Sequence, residues 1–325
     1  MKKLIDFDGL FDEKLAEYIR SNPEKYTEKQ WENVIPRLYK QFGDIYVAAA
    51  GSTPKEYYAS MSDEELCETL ERHVAEGVPV SDFLCREIES RGCTDALVGL
   101  LSRREEEILT LAVNLAGSSE KAFPAYFELL TSPVSDDIKE AVCEQLKGGA
   151  DAAKERALAL YEEGKERELM LEILSRCKQR DDRVYEILLN AFRTGDDVPM
   201  HASYLAAYGD ERALPVLLEY IDRDDINFLE FRELKYAVEA LGGEYTRPRD
   251  FTSDPYYQEI LEKIGRRPEE CLMVGNDVGE DMVARQLGME VFLLTDCLIN
   301  QRSEDLSQYR RGGFPELLEV LKTLS

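Results

Sequence analysis

Two carboxylates four residues apart, Asp277 and Asp281, carry the clearest chemical signal in this chain. They lie in Cys271-Leu-Met-Val-Gly-Asn-Asp-Val-Gly-Glu-Asp281. The short apolar run reads as a buried strand that delivers Asp277 onto a loop and Asp281 onto the first turn of a following helix. Paired hard oxygens at the carboxyl end of a parallel strand suit Mg²⁺, which keeps several waters and takes one or two protein carboxylates. The same spacing serves a plain structural job, because acids at a helix start complement its dipole and satisfy free N–H groups. On spacing alone, Asp277 and Asp281 are equally candidate Mg²⁺ ligands and candidate caps.

The elements that must position them follow from the neighbouring pattern. Residues 256–264 predict a helix, 272–274 a strand, 279–287 a loop and helix, 291–294 a second strand, and 316–324 a closing helix. Strand, helix, strand in that order implies a parallel pair with a right-handed crossover. Upstream, Arg247-Pro-Arg-Asp-Phe-Thr-Ser-Asp-Pro255 is a polar, proline-bearing joint and sets the expected domain boundary, with residues 1–250 before it and 251–325 after it.

Between residues 9 and 243, apolar residues recur at spacings of three and four, and the breaks carry helix-cap chemistry. Ser62-Asp-Glu-Glu65 is a capping box, Gly77 a left-handed stop, Thr27-Glu-Lys-Gln30 a second start signal, and Ser81, Ser135 and Asp210 further caps. Two segments look like copies of one unit: Ala122-Phe-Pro-Ala-Tyr-Phe-Glu-Leu-Leu130 and Ala213-Leu-Pro-Val-Leu-Leu-Glu-Tyr-Ile221. Each follows a glycine turn, at Gly117 and Gly209, and each has proline early, where its missing N–H costs little. A preceding apolar helix makes the unit a helix pair. Such a pair cannot bury its own face, so stacking of pairs is expected.

Composition narrows the function classes. With 40 Lys and Arg against 66 Asp and Glu, the formal charge is −26, and that field repels polyphosphates, so no nucleic-acid partner is expected. Acidic grooves would instead favour a basic peptide. The seven cysteines are scattered without a Cys-x-x-Cys pair, which predicts reduced, mostly buried thiols in a cytoplasmic protein. No apolar run reaches membrane-spanning length, so no membrane partner is expected either. His73 and His201 have no Cys or Ser partner at a nucleophile–base spacing and read as packing residues. Tyr57, Tyr58, Tyr126, Phe127, Tyr204 and Tyr208 read as core or groove lining.

The stretch Gly209-Asp-Glu-Arg-Ala-Leu-Pro-Val-Leu-Leu-Glu-Tyr-Ile-Asp222, followed by Tyr236-Ala-Val-Glu-Ala-Leu-Gly242, resembles HEAT-like repeats of the type named after phycobilisome lyases. That resemblance implies an α-solenoid acting as a protein-interaction scaffold. Arg267-Pro-Glu-Glu-Cys-Leu-Met-Val-Gly-Asn-Asp-Val-Gly-Glu-Asp281 and Leu287-Gly-Met-Glu-Val-Phe-Leu-Leu-Thr295 resemble the C-terminal part of haloacid-dehalogenase-type hydrolases, over about a fifth of the chain. The second resemblance implies a partial Rossmann-like segment in which Asp277 and Asp281 match the family's metal-binding acidic motif.

Active members of that family also need a nucleophilic Asp-x-Asp on a first strand, a Ser or Thr after a second, and a Lys before the acidic motif. Only Asp6-Phe-Asp8 matches the first requirement, with Lys3-Leu-Ile as its strand, Asp6 as nucleophile and Asp8 as proton carrier. The rival reading makes Asp8 the N-cap of a helix over residues 9–19. Where the lysine is expected, the chain has Phe251-Thr-Ser-Asp-Pro255. The expected fold is therefore mostly α, an α-solenoid with a small C-terminal α/β segment. The expected function is a protein- or peptide-binding scaffold with no assigned catalytic residues. The alternative is a Mg²⁺-dependent phosphomonoesterase capped by the helical array.

Overall fold

The computed structural model describes the whole chain except residues 1, 23, 24, 196, 248–260, 280, 301, 302, 304 and 325. The expected joint therefore lies, from residue 248 onward, outside the described residues, as does most of the helix expected over 256–264. The protein is mostly helical, with a small parallel sheet near its C-terminus. The helices are α1 (Phe7–Ser21), α2 (Glu28–Phe42), α3 (Pro54–Ala59), α4 (Asp63–Ala75), α5 (Asp82–Arg91), α6 (Thr94–Leu100), α7 (Glu106–Ala116), α8 (Phe123–Leu130), α9 (Asp136–Gly148) and α10 (Ala150–Glu162). They continue as α11 (Arg167–Leu174), α12 (Asp182–Thr194), α13 (Val198–Tyr208), α14 (Leu214–Ile221), α15 (Phe228–Ala240) and α16 (Phe314–Leu324). The backbone gathers into two compact units, Met1–Leu188 and Leu189–Ser325.

Local chemistry explains the helix boundaries. Ser62 accepts the Glu65 N–H at 3.2 Å while Glu65 accepts the Ser62 N–H at 2.9 Å, and Gly77 stands at φ 65°. Gln30 likewise takes the Thr27 N–H at 2.9 Å. Ser81 and Asp210 cap through their side chains, whereas Ser135 holds the N-cap position without a side-chain bond.

The two copies share one local build. Gly117 at φ 56° and Gly209 at φ 71° end α7 and α13, in a region where a Cβ would be strained. A single 3₁₀ turn follows each, Glu120–Ala122 and Glu211–Ala213, and proline then stands at the start of α8 and α14. In the first unit α7 packs on α9 and α9 on α11; in the second, α13 packs on α15.

Beneath the copies lies a longer regularity that the paired segments alone do not reveal. Helices α7, α9, α11, α13 and α15 begin at residues 106, 136, 167, 198 and 228, a step of 30 or 31 residues. One row of side chains keeps that step: Ala116, Leu146, Cys177, Tyr208 and Val238, all buried. Another row runs through Val113, Cys143, Leu174 and Leu205, also buried. In the first unit ion pairs link residues 25 to 27 apart, with Lys139–Glu166, Lys147–Glu172 and Lys154–Asp181 at 2.6, 2.6 and 3.0 Å.

In the second unit the sheet is built from β1 (Leu272–Gly275), β2 (Glu290–Leu294) and β3 (Arg310–Gly312), in the order β1-β2-β3 and parallel throughout. Met273 pairs with Val291 and Phe292 with Arg310. Three points differ from expectation. A third strand exists where two were expected; Arg310-Arg-Gly312 carries no β-branched residue to announce it and is held by pairing to β2. The connection from β1 to β2 contains a 3₁₀ helix, Met282–Leu287, in place of an α-helix. The closing helix α16 starts two residues early, at Phe314.

Candidate functional site

Asp277 sits where the sequence places it, just beyond the carboxyl end of β1, and a bridge to Ile299 ties it to the loop after β2. The Val278 N–H donates to the Ile299 carbonyl at 3.0 Å, the Ile299 N–H to the Asn276 carbonyl at 2.8 Å, and Asn276 Nδ2 to the Cys297 carbonyl at 2.7 Å. Val278, Met282, Ala284, Val291 and Leu293 form the apolar cluster under this loop. The acidic loop is thus sewn to its neighbour and anchored from below.

Within it, the two carboxylates are brought together and turned on the backbone. Asp281 Oδ2 accepts the Asp277 N–H at 2.9 Å, and Asp277 Oδ1 accepts the Gly279 N–H at 2.8 Å. Asp281 lies so close over Gly275 that a Cβ there would fall inside its carboxylate, so glycine at the end of β1 is a requirement of close approach. Both acids bond N–H groups of the loop itself, and Asp281, at the N-cap of Met282–Leu287, makes no side-chain bond into that turn. A Mg²⁺ held here would draw on the remaining carboxylate oxygens and on waters, since no group of three or more His, Cys, Asp or Glu able to hold a metal occurs among the described residues. Glu280, between the pair, lies outside the described residues.

Helix α15 borders the same region. Phe228 and Phe231 pack with Leu287 and Met289. A side chain at Gly279 would lie 3.6 Å from the Tyr236 hydroxyl, so a phenol from α15 stands beside the acidic loop.

The other acidic pair is placed differently from the reading that made Asp8 a cap. Helix α1 starts at Phe7, so Asp6 is the N-cap, and its Oδ1 accepts the Gly9 N–H at 2.7 Å. Asp-Phe-Asp-Gly offers two acids in cap range, and burial decides between them: Phe7, fully buried, is already helical. Residues 3–5, expected as the strand of a nucleophile motif, form no strand. Asp8 instead accepts the Tyr39 hydroxyl at 2.5 Å and the Ser81 hydroxyl at 3.4 Å. Burial pushes its carboxyl above the usual carboxylate range, the two hydroxyl bonds oppose this, and Asp6 and Asp82 add repulsion. Sequence reasoning missed this cluster, whose members lie 31 and 73 residues apart with no local signal linking them.

The remaining candidates take packing roles. His73 is buried, with Nδ1 at 2.8 Å from the Pro79 carbonyl. His201 stands one step along the chain from Met170 and is buried as that residue is. Burial pushes the Cys67 and Cys143 thiols up to about 12 and Cys177 up to about 11, which leaves them protonated and unreactive at neutral pH. Tyr58, Tyr126, Phe127 and Tyr208 are core. An acidic groove of about 600 Å³ lies beside α9 and α11, with Asp137, Glu140, Glu144 and Glu172 on its walls. Lys147 partly neutralises it, bonding both Glu144 and Glu172. No helix among the described residues is long and apolar enough to cross a membrane. No family model matches the chain, and no curated protein matches it.

Proposed function

We propose that the chain is a protein-interaction scaffold, an α-solenoid of HEAT-like helix pairs bearing a haloacid-dehalogenase-like module that performs no catalysis. The observation that carries this reading is the 30- or 31-residue step kept by the starts of five helices and by a row of buried residues. A chain built on such a step buries each helix pair against the next and leaves long grooves as its working surfaces. The acidic groove beside α9 suits a basic segment of a protein partner. In this reading the protein is cytoplasmic and binds neither nucleic acid nor membrane.

Two of the described residues, Asp6 and Asp8, are the expected reactive partners for the acidic loop. Asp6 is spent on a helix start and Asp8 is bonded to two hydroxyls, so neither stands at a strand end as a nucleophile must in phosphoryl transfer of this type. If Mg²⁺ binds at Asp277 and Asp281, it supplies charge to the loop, and those two side chains hold it.

An aryl phosphate assay with Mg²⁺ tests the reading directly. Turnover should stay at background and should not change in Asp6→Asn or Asp277→Asn. Metal-dependent turnover abolished by Asp6→Asn would replace the scaffold with a phosphomonoesterase whose cap is the helical array.

A further inference from the structure

Asp8 has no part in the proposed function, yet its surroundings are unusual for a carboxylate. It projects from the first turn of α1 and is met by Tyr39 from α2 and by Ser81 at the start of α5. Tyr58 from α3 and Cys85 from α5 also feel its charge, as does Tyr39. The remaining charged groups that act on it are Asp6, on its own segment, and Asp82, which is itself paired with Arg86 at 2.7 Å. Two hydroxyl donors and two like charges therefore bear on Asp8, and none of the groups named as acting on it is a cation. The Tyr58 hydroxyl is buried with no hydrogen-bond partner. Ionised Asp8 is thus partly shielded from water, bonded to two hydroxyls and repelled by its neighbours. Protonated Asp8 avoids that penalty.

The seam that Asp8 closes is substantial. Phe7 is fully buried and packs edge-on against Tyr57 and Tyr58, while Phe11 meets Tyr39 and Phe42. Tyr39 stacks on Phe83 at 4.6 Å, so one aromatic ring joins the clasp to α5. We infer that Asp8, Tyr39 and Ser81 form a proton-sensitive clasp that fastens α1 over α2, α3 and α5 more firmly in mild acid than at neutral pH.

The sign follows from linkage. The folded carboxyl keeps its proton to higher pH than the unfolded carboxyl, whose ordinary value is 3.8. The contribution of Asp8 is therefore complete below that ordinary value and is lost as pH rises through the folded one. The aromatic packing is unaffected, so the clasp tunes the opening of α1 and does not detach it.

Hydrogen exchange of the intact chain tests this, read as protection factors along α1 between about pH 4 and about pH 8 so that intrinsic exchange cancels. Protection in α1 should fall severalfold across that range, while α9 and α10 hold theirs. Asp8→Asn keeps an acceptor for Tyr39 without the charge and should flatten the dependence at the protected end. Tyr39→Phe removes the stronger donor and should steepen it. Constant α1 protection in the parent, an equal fall in Asp8→Asn, or an unchanged slope in Tyr39→Phe would overturn the clasp. None of these outcomes bears on the scaffold reading, which is tested by turnover.

Discussion

The helical repeats and the α/β segment both hold acidic side chains in place, and they do so by opposite means. Across α9 to α11, Glu166 and Glu172 are met by lysines from 27 and 25 residues earlier, so ion pairs join one repeat step to the next. At β1 the acids turn inward, and Asp277 and Asp281 each bond a backbone N–H within four residues. These side chains are 12–34% exposed, so the pairs are partly screened by salt and their flexible stems tolerate substitution. A carboxylate wedged against backbone is bound to the local path of the chain and tolerates little.

The largest effect that would sharpen this contrast is at Gly275. In Gly275→Ala, the new methyl would overlap the Asp281 carboxylate, and relief requires moving either β1 or the loop. We expect a cost of about 3 kcal/mol, at the upper end of overpacking, seen as lost exchange protection in β1 and β2 and unchanged protection in α9 and α10. Protection in β1 equal to the parent would show that the loop is softer than its bonds suggest.

A middle effect falls on Lys154, paired with Asp181 where both side chains are only 14% exposed. Arg183 and Lys154 together hold Asp181 well below the usual carboxylate range. Lys154→Ala should cost about 1 kcal/mol in urea unfolding of the intact chain, less than Gly275→Ala because Asp181 keeps its bonds to Arg183 at 2.7 Å. A loss as large as that at Gly275 would break the comparison. The smallest effect belongs to Lys121→Ala. Its pair with Asp95 is widely exposed, at 64% and 81%, and the change should stay within about 0.5 kcal/mol and vanish in high salt.

These differences also explain what the sequence made legible. Caps at Ser62, Ser81 and Asp210, the turn at Gly77, and the paired segments at Ala122 and Ala213 are local signals, and each was readable from a few adjacent residues. The parallel pairing of β1 and β2 followed from their order. What stayed hidden depended on distant partners. Arg310-Arg-Gly312 becomes a strand only because β2 offers an edge. The 3₁₀ turn at Met282–Leu287 replaces a helix in a short link whose Met282 and Ala284 are drawn into the cluster under the loop. Asp6 and Asp8 compete for one cap, and the choice was made by Phe7 entering an aromatic core built from α3. The acidic loop itself was legible in its sequence, whereas the bonds of Asp277 and Asp281 to loop N–H groups depend on the close approach of Asp281 to Gly275.

The constant stride of the helices bears on how this chain can change length. Residues 136–166 occupy one full stride, so deleting them brings Ser135 directly before Arg167 and keeps the buried Ala116 and Cys177 one stride apart in sequence. A deletion of ten residues from the same place would break that interval. Viable length variants in this part of the molecule should therefore come in whole strides.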